Sequence, residues 1–270
     1  MNAHYAWKLR ALGACVALSL WPAQPASAAE TWYRWVDSHG TVHMDRQPPL
    51  ATQYELIQQP DTITWKGRPD LPVEVTEKDT SKRSTQDLFR SLSESIYQVL
   101  GRPQDSNLPK ADPVVFGSAV AISEGLLLTN CHVIEAAGSD LFIGLSGADT
   151  LFKAEIVAQD HLMDTCVVGV SGVRLHSIAG VRRYETLEVG ETLYAIGNPA
   201  RLERTLSNGL LSGKRVIDGQ RYLQTTAAIS PGSSGGGLFD AYGNLVGITT
   251  MTFRGTQNIN FAIPAEDFWK

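Results

Sequence analysis

Between Pro113 and Pro264 the chain is cut into ten short apolar or alternating runs with turn residues between them. They are "VVFGSAVAIS", "GLLLTN", "LFIGL", "LFKAEIVAQD", "TCVVGV", "TLYAIG", "TLSNGLLSG", "RYLQTTAAIS", "LVGITTMTF" and "INFAIP". So many short strands at this spacing, with hardly any helical period, predict an all-β barrel or sandwich. Upstream, "DLFRSLSESIYQVLG" (87–101) begins with helical spacing of Leu88, Phe89, Leu92 and Ile96 and ends as a strand at Ile96–Leu100. A short helix from Pro264 onward closes the pattern. With 270 residues, 43% of them hydrophobic and 19% charged, there is material for a substantial core in one large domain or two modest ones.

The first residues have a different character. Lys8 and Arg10 precede an apolar run from Ala11 to Trp21, followed by Ala26-Ser27-Ala28. A short positive segment, a short apolar segment and small residues describe a secretory signal over residues 1–28. The run is too short to span a bilayer, so no transmembrane span is expected once the signal is removed. Its removal takes two positive charges and no acid, moving the net charge from −5 to −7. No basic patch of the kind a nucleic-acid partner requires is present. Cys15 leaves with the signal, so Cys131 and Cys166 remain, and an exported chain meets an oxidising compartment. The expected location is periplasmic or secreted.

Residues 29–59 form a small unit. Trp32, Tyr33, Trp35 and Val36 lead into Asp37-Ser38-His39-Gly40, Thr41-Val42-His43 return, and Pro48-Pro49 end it, which reads as a β-hairpin. The W-x-D-x-x-G-x-x-H pattern closed by Pro-Pro resembles a small N-terminal domain of unknown function found in exported bacterial proteins. An envelope partner is an expectation for this hairpin; His39 and His43 are read as a solvated hairpin tip rather than metal ligands. Residues 60–85, polar and proline-dotted, read as a linker.

The stretch "ISPGSSGGGLFDAYGNLVGITT" contains Gly232-Ser233-Ser234-Gly235-Gly236, a G-x-S-x-G. In an α/β-hydrolase the base follows the serine, but no histidine follows position 176, and strands surround the motif. A phosphate loop requires a Lys after the glycines, and none is there. Upstream, "LLLTNCHVIEAAG" puts His132 just after an apolar strand at a tight turn, and "DHLMDTCVVGV" puts Asp164 just before another. The order His132, Asp164, Ser234 is the order of a double-β-barrel serine protease. Asp160 is a rival acid four residues earlier; Asp164 directly abuts the apolar strand. The chemistry suits the residue types: Ser234 needs His132 to take its proton, and His132 needs a carboxylate to fix its tautomer and stabilise the imidazolium.

"TNCHVI", "DTCVV", "ISPGSSGGGLFDAYGNLVGI" and "NINFAIP" together resemble the blocks of bacterial trypsin-like serine proteases of the HtrA/Deg type, over residues 86–270. The resemblance implies a chymotrypsin-like double β-barrel, here without a PDZ domain, and no cofactor or metal. It implies that the N–H groups of Gly232 and Ser234 form the oxyanion hole. It implies further that Ala228, Ile229, Ser230, Thr249, Thr250 and Met251 line the substrate pocket. None of the six is acidic, which points to a small or medium aliphatic residue at the cleaved position. The chain departs from the family's G-N-S-G-G-P block at two places, Ser233 and Gly237, neither of which touches a reacting atom but both of which bear on the stiffness of the loop. Cys131 adjoins His132 and Cys166 lies two residues past Asp164, so a Cys131–Cys166 disulfide buttressing the pair is expected.

The expected function is therefore an exported serine endopeptidase acting on polypeptide segments through an acyl-enzyme. The alternative is a catalytically silent or latent protease-fold binding module of the cell envelope. Oligomeric state is not specified by these residues.

Overall fold

The computed structural model of this protein describes residues 33–36, 42–45, 55–56, 81–101, 114–138, 140–145, 150–199, 202, 204–252 and 257–269. The expected signal (1–28) and the bulk of the expected linker (60–80) lie outside the described residues, as do His39 and the side chain of His43. Strands β1 (Tyr33–Val36) and β2 (Val42–Asp45) pair antiparallel, with Tyr33 opposite Asp45 and Val36 opposite Val42. Strand β3 (Glu55–Leu56) adds to β1.

Helix α1 (Thr85–Leu92) starts at Ser84, whose hydroxyl accepts the Asp87 N–H at 3.1 Å and donates to Asp87 Oδ2 at 2.7 Å. That satisfies one of the donors a helix start leaves open. The helix buries Leu88 and Leu92 and gives way through a 3₁₀ turn (Ser93–Ser95) to β4 (Ile96–Gly101). The switch from helix to strand falls at Ile96, where the apolar spacing changes from helical to continuous.

The next strands are β5 (Val114–Ala121), β6 (Leu126–Thr129), β7 (Phe142–Leu145), β8 (Leu151–Asp160) and β9 (Thr165–Val170), with helix α2 (Cys131–Ala137) between β6 and β7. They close into a barrel in the order β4-β5-β6-β9-β8-β7. The second barrel uses β10 (Thr192–Gly197), β11 (Thr205–Ile217), β12 (Gln220–Thr225), β13 (Gly237–Asp240), β14 (Leu245–Thr252) and β15 (Asn260–Pro264). Its order is β13-β10-β11-β12-β15-β14, and pairing of β13 with β14 closes it. The fold is the all-β, chymotrypsin-like double barrel. On the outer edge of β14, Met251 bridges in parallel to Val42 of β2. A 3₁₀ turn (Ala265–Trp269) follows β15, where a short helix is expected from the sequence.

Why so many strands read as unbroken apolar runs is explained by where their two faces go. On β5, Ala119 and Ala121 point into the first barrel, while Val120, with Ile122 just past the strand, joins a second cluster. On β10, Leu193 and Ala195 fill the second barrel, and Tyr194 and Ile196 turn to that same shared cluster. The shared cluster, with Ile96, Leu128, Val167, Phe239, Ile248, Phe261 and Ile263, contains residues from both barrels. A strand buried on both faces loses its polar alternation. Two further elements differ from what the sequence predicts. β13 was hidden in the glycine run, and His132 sits in the first turn of α2 rather than in an isolated tight turn.

Candidate active site

The site is built on three segments: the start of α2, the turn before β9, and the loop before β13. Asn130 ends the β6 connection as the N-cap of α2, yet its side chain makes no capping bond. It is used elsewhere. Its Nδ2 donates to the Asp164 carbonyl at 3.1 Å and its Oδ1 accepts the Gly235 N–H at 2.8 Å, so one fully buried amide joins all three segments.

The helix start is capped from outside instead. Asp164 Oδ1 accepts the backbone N–H of His132 at 3.1 Å. An acidic group at a helix N-terminus also meets the positive end of the helix dipole. The same carboxylate holds the ring, with His132 Nδ1 3.0 Å from Oδ1 and 2.9 Å from Oδ2. A carboxylate accepts only, so in the neutral ring the proton sits on Nδ1 and the lone pair on Nε2. Nε2 is buried and has no hydrogen-bond partner among the described residues.

Asp164 adopts φ 53°, a left-handed conformation that a non-glycine residue keeps only where its surroundings fix it. They do. Beyond the Asn130 and His132 bonds, Thr250 Oγ1 donates to Oδ2 at 2.8 Å. The neighbouring Met163 gives its N–H to Asp160 Oδ1 (3.0 Å) and takes Gln220 Nε2 on its carbonyl (2.6 Å). Asp160, the rival acid, therefore shapes the turn, and it is Asp164 that meets His132. Cys131 and Cys166 are disulfide-bonded across the same junction, with Cα atoms 5.0 Å apart.

Ser234 is 3% exposed, and its Oγ donates to the Thr250 carbonyl at 3.1 Å. Around it the loop is pinned nearly everywhere. The N–H groups of Ser233, Gly235 and Gly236 donate to Ser230, Thr249 and Ser233 carbonyls, each at 2.8 Å. The N–H groups of Gly232 and Ser234 find no acceptor among the described residues. Gly232 has φ 92° and Gly235 φ 83°, the region glycine enters without penalty. A Cβ at Gly235 would also collide with the Ser118 carbonyl, and one at Gly237 with the Phe239 ring. The second collision accounts for glycine at position 237: the fully buried Phe239 ring covers it.

Of the pocket residues expected from the sequence, Ala228 and Ser230 are exposed and Ile229 is half-buried beside the loop. Thr249, Thr250 and Met251 turn their side chains inward, at 1%, 3% and 4% exposure. Thr249 Oγ1 donates to the Ser233 carbonyl (2.6 Å), Thr250 Oγ1 to Asp164, and Met251 packs in the core. The side chains of these three residues are thus spent on the fold. Strand alternation from Thr250 hides this, because a register shift between Thr249 and Met251 puts consecutive side chains indoors. Asn130, Ser118 and Gln220 carry no motif signal of their own; only Asn130's place directly before Cys131-His132 hints at a role.

Residues 117–248 match the trypsin-like peptidase domain family, and residues 18–64 match a domain of unknown function, DUF4124. Among curated relatives, a probable periplasmic serine endoprotease DegP-like of Pseudomonas savastanoi pv. phaseolicola is 37% identical over 158 residues, 56% of this chain and 32% of its own. The serine endoprotease DegS of Haemophilus influenzae is 35% identical over 162 residues, 56% of this chain and 47% of its own. Among solved structures, the HtrA-type protease AlgW with decapeptide superposes with a TM-score of 0.61 at 29% identity, covering 69% of this chain and 66% of that one. The matched segment thus spans only about a third to a half of those two curated relatives' length.

Proposed function

We propose, for a chain that carries a trypsin-like peptidase domain, that it is an exported serine endopeptidase cleaving polypeptide segments with Ser234, His132 and Asp164. The observation that carries the proposal is the state of His132. Its Nδ1 is held by Asp164, and its buried Nε2 is left as an acceptor without a partner among the described residues. That is what a general base needs before it takes a proton.

In the proposed reaction the Ser234 hydroxyl leaves the Thr250 carbonyl and gives its proton to His132 Nε2 as Oγ bonds to the substrate carbonyl carbon. The carbonyl π electrons move to oxygen, and the N–H groups of Gly232 and Ser234 receive the resulting oxyanion. One such donor is worth about 10²–10³ in rate. The imidazolium, stabilised by Asp164, then protonates the leaving amine as the C–N bond breaks, giving an acyl-enzyme. Water, deprotonated by His132, reverses the sequence and frees Ser234. Ala228 and Ser230, exposed, and Ile229, half-buried, precede the loop and, lacking acids, suit a small or medium aliphatic residue at the cleaved position.

Export is supported by the Lys8/Arg10, apolar and Ala26-Ser27-Ala28 sequence of residues 1–28, by the periplasmic naming of relatives, and by the Cys131–Cys166 bond. Among the described residues no helix is long and apolar enough to cross a membrane. Polypeptide substrates are supported by the AlgW structure, which holds a decapeptide. A second reading, a latent module, draws on the Ser234–Thr250 hydrogen bond, which keeps the hydroxyl off His132. Incubating the mature chain with an unfolded polypeptide separates the two: hydrolysis that disappears in His132→Ala supports the enzyme, and no hydrolysis by the unaltered chain supports the module.

A further inference from the structure

Ser118 lies on β5 in the first barrel, far in sequence from the loop that carries Ser234, and is fully buried. Its backbone N–H donates to the Ser234 carbonyl at 2.8 Å. Its Oγ lies 2.8 Å from the Gly232 carbonyl, 2.9 Å from the Asn198 N–H and 3.3 Å from Asn198 Nδ2. A hydroxyl owns one proton and two lone pairs. The Asn198 backbone N–H, and more weakly Nδ2, can only donate to it. The single Ser118 proton is therefore directed at Gly232. The Asn198 amide is anchored in turn, its Nδ2 also donating to the Tyr97 carbonyl at 3.2 Å. One residue of the first barrel thus holds the carbonyls of Gly232 and Ser234, whose N–H groups find no acceptor among the described residues.

We infer that Ser118 is a positioning residue that sets the oxyanion donors, through its hydroxyl on Gly232 and its amide on Ser234. The inference rests on the protease reading above. The peptide unit between Gly232 and Ser233 is clamped at both ends, its C=O by Ser118 Oγ and its N–H by the Ser230 carbonyl at 2.8 Å. With that unit fixed and Gly232 at φ 92°, the preceding Pro231–Gly232 peptide has little freedom to rotate its N–H out of line. Without the Ser118 hydroxyl, one clamp is gone, and the glycine can turn at little steric cost. The unit between Ser234 and Gly235 is held the same way, by Ser118 N–H on one side and by Asn130 Oδ1 and the Thr249 carbonyl on the other. Ser118 touches neither substrate nor the reacting atoms; it acts through the loop.

The test compares the mature chain with Ser118→Ala by steady-state hydrolysis of a peptide substrate, by inhibition with a peptidyl boronate, and by amide exchange of residues 230–236 read by NMR. A boronate adduct on Ser234 carries a tetrahedral centre whose oxygen uses the oxyanion donors, whereas KM for a slow substrate reports ground-state binding. Expected are a kcat lower by about 10²-fold, boronate affinity lower by a similar factor, and KM within about twofold. The Ser233 amide should exchange about tenfold faster, because the far end of its peptide is released. Unchanged kcat and boronate affinity, or losses in kcat and KM that merely follow a fall in thermal stability, would overturn the inference. The exchange readout needs no turnover: unchanged Ser233 exchange overturns the clamp even if neither protein reacts with any serine reagent. Absence of all reaction in the unaltered chain counts instead against the protease reading.

Discussion

Thr250 holds Asp164 and Ser234 at once: its hydroxyl donates to Asp164 Oδ2 at 2.8 Å, while its carbonyl accepts Ser234 Oγ at 3.1 Å. Asp164 of one barrel and Ser234 of the other thus share a residue of β14. The hydroxyl also adds a donor to a carboxylate whose residue is 7% exposed. Thr250→Val keeps the shape and removes that bond. A hydrogen bond to a charged group is worth about 1.5–3 kcal/mol, so kcat should fall at least tenfold, and Thr250→Ser should restore most of it. Equal kcat in Thr250→Val would exclude this role.

The Cys131–Cys166 bond closes a span of 35 residues across the junction of α2 and β9. By the chain-entropy relation a loop of that size contributes about 4 kcal/mol. The double variant Cys131→Ala/Cys166→Ala should lose stability of that order in urea denaturation. A loss below about 1 kcal/mol would show that the hydrogen bonds from Asn130 and His132 to Asp164 hold the junction without it.

Gly235 and Gly219 share the same φ of 83° but not the same surroundings. At Gly219 an added Cβ meets nothing within 4 Å, whereas at Gly235 it strikes the Ser118 carbonyl. Gly219→Ala should cost about 1–2 kcal/mol, the backbone term alone. Gly235→Ala should cost more than about 4 kcal/mol or prevent folding. Thermal denaturation of both variants checks it, and similar melting temperatures would contradict the geometry.

Asp87 has its carboxyl held below its ordinary 3.8, first by the Ser84 hydroxyl and then by Arg90. A depressed value means that the bond stabilises the folded state above 3.8, and that this contribution is lost as pH falls through the lower, folded value. Protection of the amides in 85–92, taken relative to their intrinsic exchange, should therefore fall in acid, and that fall should be lost in Asp87→Asn. A pH profile identical in the two proteins would rule the cap out as the cause.

The all-β class was legible because the strands are short, frequent and apolar, the double barrel came from the residue order and the resemblance of the motif blocks, and the pairing of Cys131 with Cys166 followed from where His132 and Asp164 had to meet. β13 was not legible, since "GLFD" lies inside a glycine run whose composition reads as a turn. The roles of Asn130, Ser118 and Gln220 were not legible either. Each acts through long-range hydrogen bonds, one spanning 105 residues from Asn130 to Gly235 and another 114 from Ser118 to Gly232. No local pattern encodes such a contact. The resemblance implies that Thr250 lines a substrate pocket. The bulge in β14 turns its side chain onto Asp164 instead.

The most direct test of the central claim is covalent. A fluorophosphonate reporter incubated with the mature chain, followed by mass mapping, should modify Ser234 alone. Ser234→Ala should take up none, and His132→Ala should react slower by about 10³-fold or more. An unaltered chain that stays unmodified at every pH where it is folded, or that reacts equally in Ser234→Ala, would contradict the account.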